Sequence, residues 1–101
     1  MAPSYDLERI QRLVSRGKYR ITQSALRGAF ALGFDDEDIF ECVMHVVKRA
    51  HFYKTMPANK MPGLMQDVYR LAYCGRMVYL KLQVSRRGHA VVISFKQDTG
   101  A

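Results

Sequence analysis

The sequence predicts an α+β domain in which N-terminal helices pack on one face of a C-terminal antiparallel sheet. Apolar residues recur at helical spacing through the first half, at Leu7, Ile10, Leu13 and Val14 and again at Ala25, Leu26, Ala29, Phe30 and Leu32. The last third switches to a period of two. Val78, Leu80, Leu82 and Val84 alternate with Tyr79, Lys81 and Gln83, and Val91, Ile93 and Phe95 alternate with Ala90, Val92, Ser94 and Lys96. Helices first and strands last is the segregated order of an α+β fold, with one sheet face left to solvent or ligand.

The first helix starts after Ser4 and Asp6, either of which can cap it, and stops at Gly17; Arg9, Arg12 and Arg16 form its solvated side. Lys18 to Ile21 is long enough only for a short edge strand. Thr22 then caps a second helix that Gly33 ends in a left-handed conformation. Asp35, Asp36, Glu37 and Asp38 crowd the first turn of a third helix, with Ile39, Phe40, Val43, Val46 and Val47 as its buried stripe and Lys48 and Arg49 at its end. Charges so placed complement the helix dipole, which accounts for the four acids without a metal ion. Residues 50–63 contain Pro57, Asn59, Pro62 and Gly63 and read as a loop, basic and aromatic through Tyr53, Lys54 and Lys60, the kind of segment that carries binding groups.

A strand from Met65 to Tyr73 follows, turning through Cys74-Gly75 or Gly75-Arg76 into the final hairpin. With Arg87-Gly88 as the hairpin loop, Val84 faces Val91, Leu82 faces Ile93, Leu80 faces Phe95 and Tyr79 lies beside Lys96.

The 101 residues suit a single domain spanning 1–101, and 49% hydrophobic content argues against disorder. Sixteen Lys and Arg against nine Asp and Glu give a net charge of +7, which favours a polyanionic partner. No apolar run approaches the roughly 18 residues that span a bilayer, and the first residues lack the layout of a signal peptide, so a cytoplasmic protein with no membrane partner is expected. Cys42 and Cys74 belong to no CxxC pair, and Cys42 with His45 supplies too few ligands for a metal site.

Four motifs carry a family resemblance: Phe52-Tyr53-Lys54-Thr55-Met56, Gln66-Asp67-Val68-Tyr69-Arg70, Val78-Tyr79-Leu80-Lys81 and Val92-Ile93-Ser94-Phe95-Lys96. In this order, with Ser24-Ala25-Leu26 and Leu32-Gly33 before the acidic helix start, they resemble the MqsR family of bacterial toxins from about residue 7 to 96. The resemblance implies a RelE-like fold and an mRNA interferase of a type II toxin–antitoxin system. Such an enzyme cuts single-stranded mRNA without a metal or other cofactor, at GC-containing triplets such as GCU. It also implies an MqsA-type antitoxin as partner, with promoter DNA reached only through that antitoxin. Carried over by position, the family's active-site residues fall on Lys54, Gln66, Tyr79 and Lys96. Met65 stands where the family often has an aromatic residue, and the segment Pro57 to Gly63 is unusually rich in proline; both bear on which base is admitted.

The residues themselves suit this chemistry. Attack of a 2′-hydroxyl on the adjacent phosphorus needs a proton taken from one oxygen and given to another, and a phosphorane to be stabilised. Lys96 and Lys54 suit the second task, with Lys81 and Arg70 in reserve on the same basic face. Tyr79 is a poor base at neutral pH but can orient phosphate or act as an acid. Gln66 cannot move a proton efficiently and suits a base edge or ribose; it is placed about 13 Å along its strand from the residue opposite Tyr79. His51 and His89 offer an alternative acid–base pair, whereas His45 reads as an ordinary helix residue. Two other readings remain open: a basic module that binds nucleic acid without cutting it, and one that binds only an acidic protein.

Overall fold

The computed structural model describes residues 1–100, and a five-stranded sheet carries the helices on one face, as expected. Helix α1 (Leu7–Ser15) starts at Asp6, whose carboxylate accepts the Glu8 backbone N–H, and buries Leu7, Ile10 and Val14. Strand β1 (Tyr19–Ile21) is the short edge strand and runs parallel to the C-terminal strand at Ala90–Val92. Helix α2 (Gln23–Ala31) begins at Thr22, whose hydroxyl accepts the Ala25 N–H at 3.1 Å and donates to the Ile93 carbonyl at 2.8 Å. One side chain therefore caps the helix and fastens it to the sheet.

Helix α3 (Asp36–Glu41) opens with reciprocal bonds of 3.0 Å between Asp35 and Asp38, then widens into a π-helical turn over Cys42–Val46. Two of the four acids, Asp35 and Asp38, are used in capping, and among the described residues no group of His, Cys, Asp or Glu could hold a metal ion. The stripes differ from expectation at Phe30, Phe40 and Val46, Phe40 being half-buried. Phe30 is 61% exposed, because α2 turns Ala25 and Ala29 to the core; Val46 is only half-buried, at the end of the widened turn.

Residues 50–63 are not all loop. After a 3₁₀ turn at Arg49–His51, strand β2 (Phe52–Pro57) pairs antiparallel with β3 (Met65–Tyr73), and only residues 58–64 remain irregular. Pro57 misled the reading because proline breaks a central strand, yet it ends an edge strand at no cost to the ladder. The segment before α1 is strapped to this edge: the buried Asp67 carboxylate accepts the backbone N–H groups of Ser4 and Tyr5, each at 2.9 Å.

Strand β4 (Arg76–Val84) returns from β3 through Cys74-Gly75, the first of the two expected turns. Both turn residues have positive φ, at 47° and 78°, the type I′ geometry that matches the twist of a hairpin. Strand β5 (Ala90–Gln97) completes the sheet, in the order β1-β5-β4-β3-β2. Its far half keeps the expected register, with Tyr79 opposite Lys96 and Leu80 opposite Phe95.

The near half does not. A bulge follows the Lys81–Ser94 pair, so Leu82 faces Val92 and Val84 faces Ala90, not Ile93 and Val91. The turn is correspondingly longer than Arg87-Gly88, running from Ser85 to His89 and closed by Ser85 N–H to His89 O at 2.8 Å. Ala90, Val92 and Phe95 thus share the core with Val78, Leu80, Leu82 and Val84. Ile93 stays half-exposed outside it. No helix is long and apolar enough to cross a membrane among the described residues.

Candidate active site

On the sheet face away from the helices, alternation collects side chains into cross-strand rows. One row is Arg70, Tyr79 and Lys96; the next is Lys54, Val68, Lys81 and Ser94. A third joins Met56 and Gln66 to Gln83 and Val91, with Gln66 Nε2 donating to Gln83 Oε1 at 3.0 Å. A bulge between Phe52 and Lys54 leaves Tyr53 as an extra residue, and its ring lies 4.7 Å from the Arg70 guanidinium carbon.

Tyr79 is the centre of the group. Lys96 Nζ lies 5.1 Å and Lys81 Nζ 5.9 Å from the centroid of its ring. Desolvation, then the neighbouring Tyr53 and Asp98, raise the phenol pKa despite the opposing influence of Arg70. Tyr79 therefore keeps its proton and presents an O–H donor. Lys81 moves the opposite way: burial and the ammonium groups of Lys96 and Lys54 lower its pKa. No carboxylate forms a salt bridge with Lys54, Lys81 or Lys96 among the described residues. Lys96 and Lys81 flank the neutral phenol, and Lys54, its Nζ 5.6 Å from the Tyr53 ring centroid, extends the basic patch on the Lys81 side; such a patch attracts a group with several negative oxygens.

Arg70 differs from the lysines. Its Nε donates to Asp98 Oδ2 at 2.7 Å, and this bond is the main reason the Asp98 carboxyl stays below its ordinary pKa. The C-terminal tail, unremarkable as sequence, thus neutralises one cation of the row and fixes it over Tyr53. A carboxyl with a depressed folded-state pKa stabilises the protein above the ordinary carboxyl range, and the contribution is lost as pH falls through the folded value. Asp98→Asn is accordingly expected to melt below the wild type at pH 7. In melting curves from pH 7 down to pH 2 the gap should close below about pH 4, and a gap independent of pH would exclude this ion pair as its cause.

Gln66 lies apart from Tyr79, as the strand spacing requires. With Lys60, Arg20, Gln83, Ser85 and Ile93 it lines a cavity of about 320 Å³, and Lys81 connects that cavity to the lysine cluster. The histidine pair finds no support. His51 Nδ1 accepts the Lys48 N–H at 2.9 Å inside its turn, while His89 sits in the β4–β5 loop at the other end of the sheet. A second cavity, about 420 Å³ between the N-terminal segment, Phe52 and Tyr69, shares no residue with the lysines.

The sequence reading missed Asp98, Gln83 and Arg20. Gln83 was visible as the polar member of an alternating strand, but nothing in the pattern marks it as 4% exposed. Asp98 and Arg20 carry no local signal.

Comparison with known proteins bears on the whole surface. The family described as "Motility quorum-sensing regulator, toxin of MqsA" matches residues 2–97. The mRNA interferase toxin MqsR of Escherichia coli (strain K12) is 33% identical over 95 residues, covering 94% of each chain. A match of that extent runs through α1, all five strands and every residue of the lysine cluster, and the chain belongs to the MqsR toxin family.

Proposed function

We propose that this protein is the toxin of a toxin–antitoxin pair and acts as an endoribonuclease on single-stranded mRNA, held in check by an MqsA-type antitoxin. The observation that carries the catalytic reading is a protonated Tyr79 flanked by Lys81 and Lys96, with Lys54 beyond Lys81 over the Tyr53 ring and no carboxylate in a salt bridge with any of the three lysines among the described residues. Family membership and the relative's name as an mRNA interferase support RNA as the substrate. The preference for GC-containing triplets and the absence of a metal requirement rest on the family resemblance alone.

In this mechanism Lys96 and Lys54 hold the nonbridging oxygens and stabilise the charge that builds on phosphorus. Lys81, its pKa lowered by burial and by the neighbouring Lys96 and Lys54, is the lysine of the three that most readily gives up its own proton, and in that neutral form its amine takes the proton from the 2′-hydroxyl as the new P–O bond forms. Tyr79 gives its proton to the 5′-oxygen as the old P–O bond breaks. The products are a 2′,3′-cyclic phosphate and a 5′-hydroxyl. Gln66 contributes to binding away from the reacting atoms, and Arg70, tied to Asp98, keeps Tyr53 in place beside the phenol.

The test is cleavage of a defined, ribosome-free RNA in excess chelator with both product ends mapped. Recurring cuts with these termini are expected. Lys81→Arg separates base from cation: the guanidinium stays charged and has no free lone pair to take a proton, so at least about a hundredfold fall is expected, as for loss of a general base. If Lys81→Arg cleaves at the wild-type rate with an unchanged pH profile, Lys81 is a cation only. Binding of RNA without any cutting would favour the non-catalytic nucleic-acid module.

A further inference from the structure

The lysines of the active face are free of carboxylates, and the arginine in the same row is not. We propose, building on the RNA reading, that Asp98 of the C-terminal tail withholds Arg70 from the RNA, so that phosphates are drawn to the lysines beside Tyr79 and away from its Arg70 side. Asp98 lies one residue beyond the stretch that matches the family, so family membership says nothing of this contact.

Position alone would make Arg70 a phosphate ligand. It stands opposite Tyr79 on β3 as Lys96 does on β5, and a guanidinium offers a fork of donors that fits a phosphate. The tail takes that capacity. Arg70 Nε donates to Asp98 Oδ2 at 2.7 Å, while the Tyr53 ring lies 4.7 Å from the guanidinium carbon. The carboxylate is held in its turn. The Asp98 N–H donates to the Met77 carbonyl at 2.8 Å, Oδ1 accepts the Gly100 N–H at 3.1 Å, and the Asp98 side chain is 5% exposed against 29% for Arg70.

Burial decides against exchange. A phosphate that captured Arg70 would leave Asp98 without its cation and still out of water, and a desolvated charge stripped of its partner is costly. Lys54, Lys81 and Lys96 present no such barrier, since none of them is in a salt bridge among the described residues. The row through Tyr79 is therefore lopsided in charge, with a neutral pair at its β3 end and a free ammonium at its β5 end. A polyanion crossing the sheet is drawn to the second and gains little from the first.

The experiment uses the whole protein and a fluorescent single-stranded RNA with 2′-O-methyl riboses, which lacks the attacking hydroxyl; affinity is read by anisotropy over a range of salt. Asp98→Asn frees Arg70 and should bind at least about threefold more tightly at low salt, with log affinity falling more steeply against log salt by about 0.7, the increment for one further phosphate contact on a single strand. A tail that only braced the sheet would weaken binding when loosened and leave the slope unchanged. Adding Arg70→Gln to Asp98→Asn should return affinity and slope to within about twofold of wild type, and Lys96→Ala should lower both. Asp98→Ser, smaller and equally uncharged, covers the case in which Asp98→Asn does not fold. The proposal is overturned if the folded uncharged variant binds no more tightly than wild type, if its gain survives the loss of Arg70, or if Lys96→Ala binds as wild type does. A wild type that binds RNA without cutting the unmodified form would sink the enzymatic reading separately, since the salt series decides the role of Asp98 without cleavage.

Discussion

A Lys96→Ala variant is expected to cleave single-stranded RNA about a hundred- to a thousandfold more slowly than wild type, the usual cost of removing one preorganised group that stabilises charge in a transition state. The expectation follows from position. Lys96 stands opposite Tyr79 in the ladder with its ammonium 5.1 Å from the ring centroid, and no carboxylate forms a salt bridge with it among the described residues. The same facts predict little effect on folding. Lys96 is exposed, and removing it relieves repulsion from Lys54 and Lys81, so the stability should stay within about 0.5 kcal/mol of wild type. Paired rate and melting measurements distinguish the cases. Equal rates would remove Lys96 from the mechanism, and a large drop in melting temperature would make any rate loss a folding effect.

Gly28→Ala is expected to be the most damaging small substitution in the chain, costing about 3 kcal/mol or more. Strand β1 covers β5 only at Ala90–Val92, and α2 closes the remaining edge by lying against the strand backbone. A Cβ at position 28 would sit 2.1 Å from the Phe95 carbonyl oxygen and 3.1 Å from Lys96 Cβ. Neither the carbonyl nor the helix backbone can yield as a flexible side chain does. For a domain of this size the loss corresponds to roughly 12–24 °C in melting temperature. Because the displaced segment holds Lys96, cleavage should also fall in whatever fraction remains folded. Gly17→Ala is the control. Nothing lies within 4 Å of its added Cβ, and only its φ of +75° opposes the change, so the cost should be nearer 1 kcal/mol.

Legibility in the sequence followed the range of the interactions. Thr22, and Asp6 as one of two candidates, announced the first two helices because a cap is a contact between near neighbours, whereas Asp35 was read as one of four acids in the first turn of the third and is in fact its cap. The Tyr79–Lys96 pair was readable because alternation and the apolar partners Leu80 and Phe95 fix the register locally. Strand β2 was hidden by Pro57, whose harmlessness depends on β2 being an edge, a property of the assembled sheet. The Arg70–Asp98 bond joins residues 28 apart, and the Gln66–Gln83 bond residues 17 apart. Neither spacing corresponds to a repeat in the chain. The family motifs brought Gln66 into the site and the strand spacing set it away from the phenol, but only the folded sheet shows that it stands with Gln83.

The bulge at Ile93 separates what the fold needs from what the cavity needs. Without that residue, β5 would read Ala90, Val91, Val92, Ser94 and Phe95, an unbroken alternation with Ala90, Val92 and Phe95 inward. Ile93 is thus the one position in the strand that the alternation does not require, so its side chain is free to change size without disturbing the apolar ladder. Substitution at that single point reshapes the wall of the cavity beside the lysine cluster while the inward-facing residues of the strand keep their places.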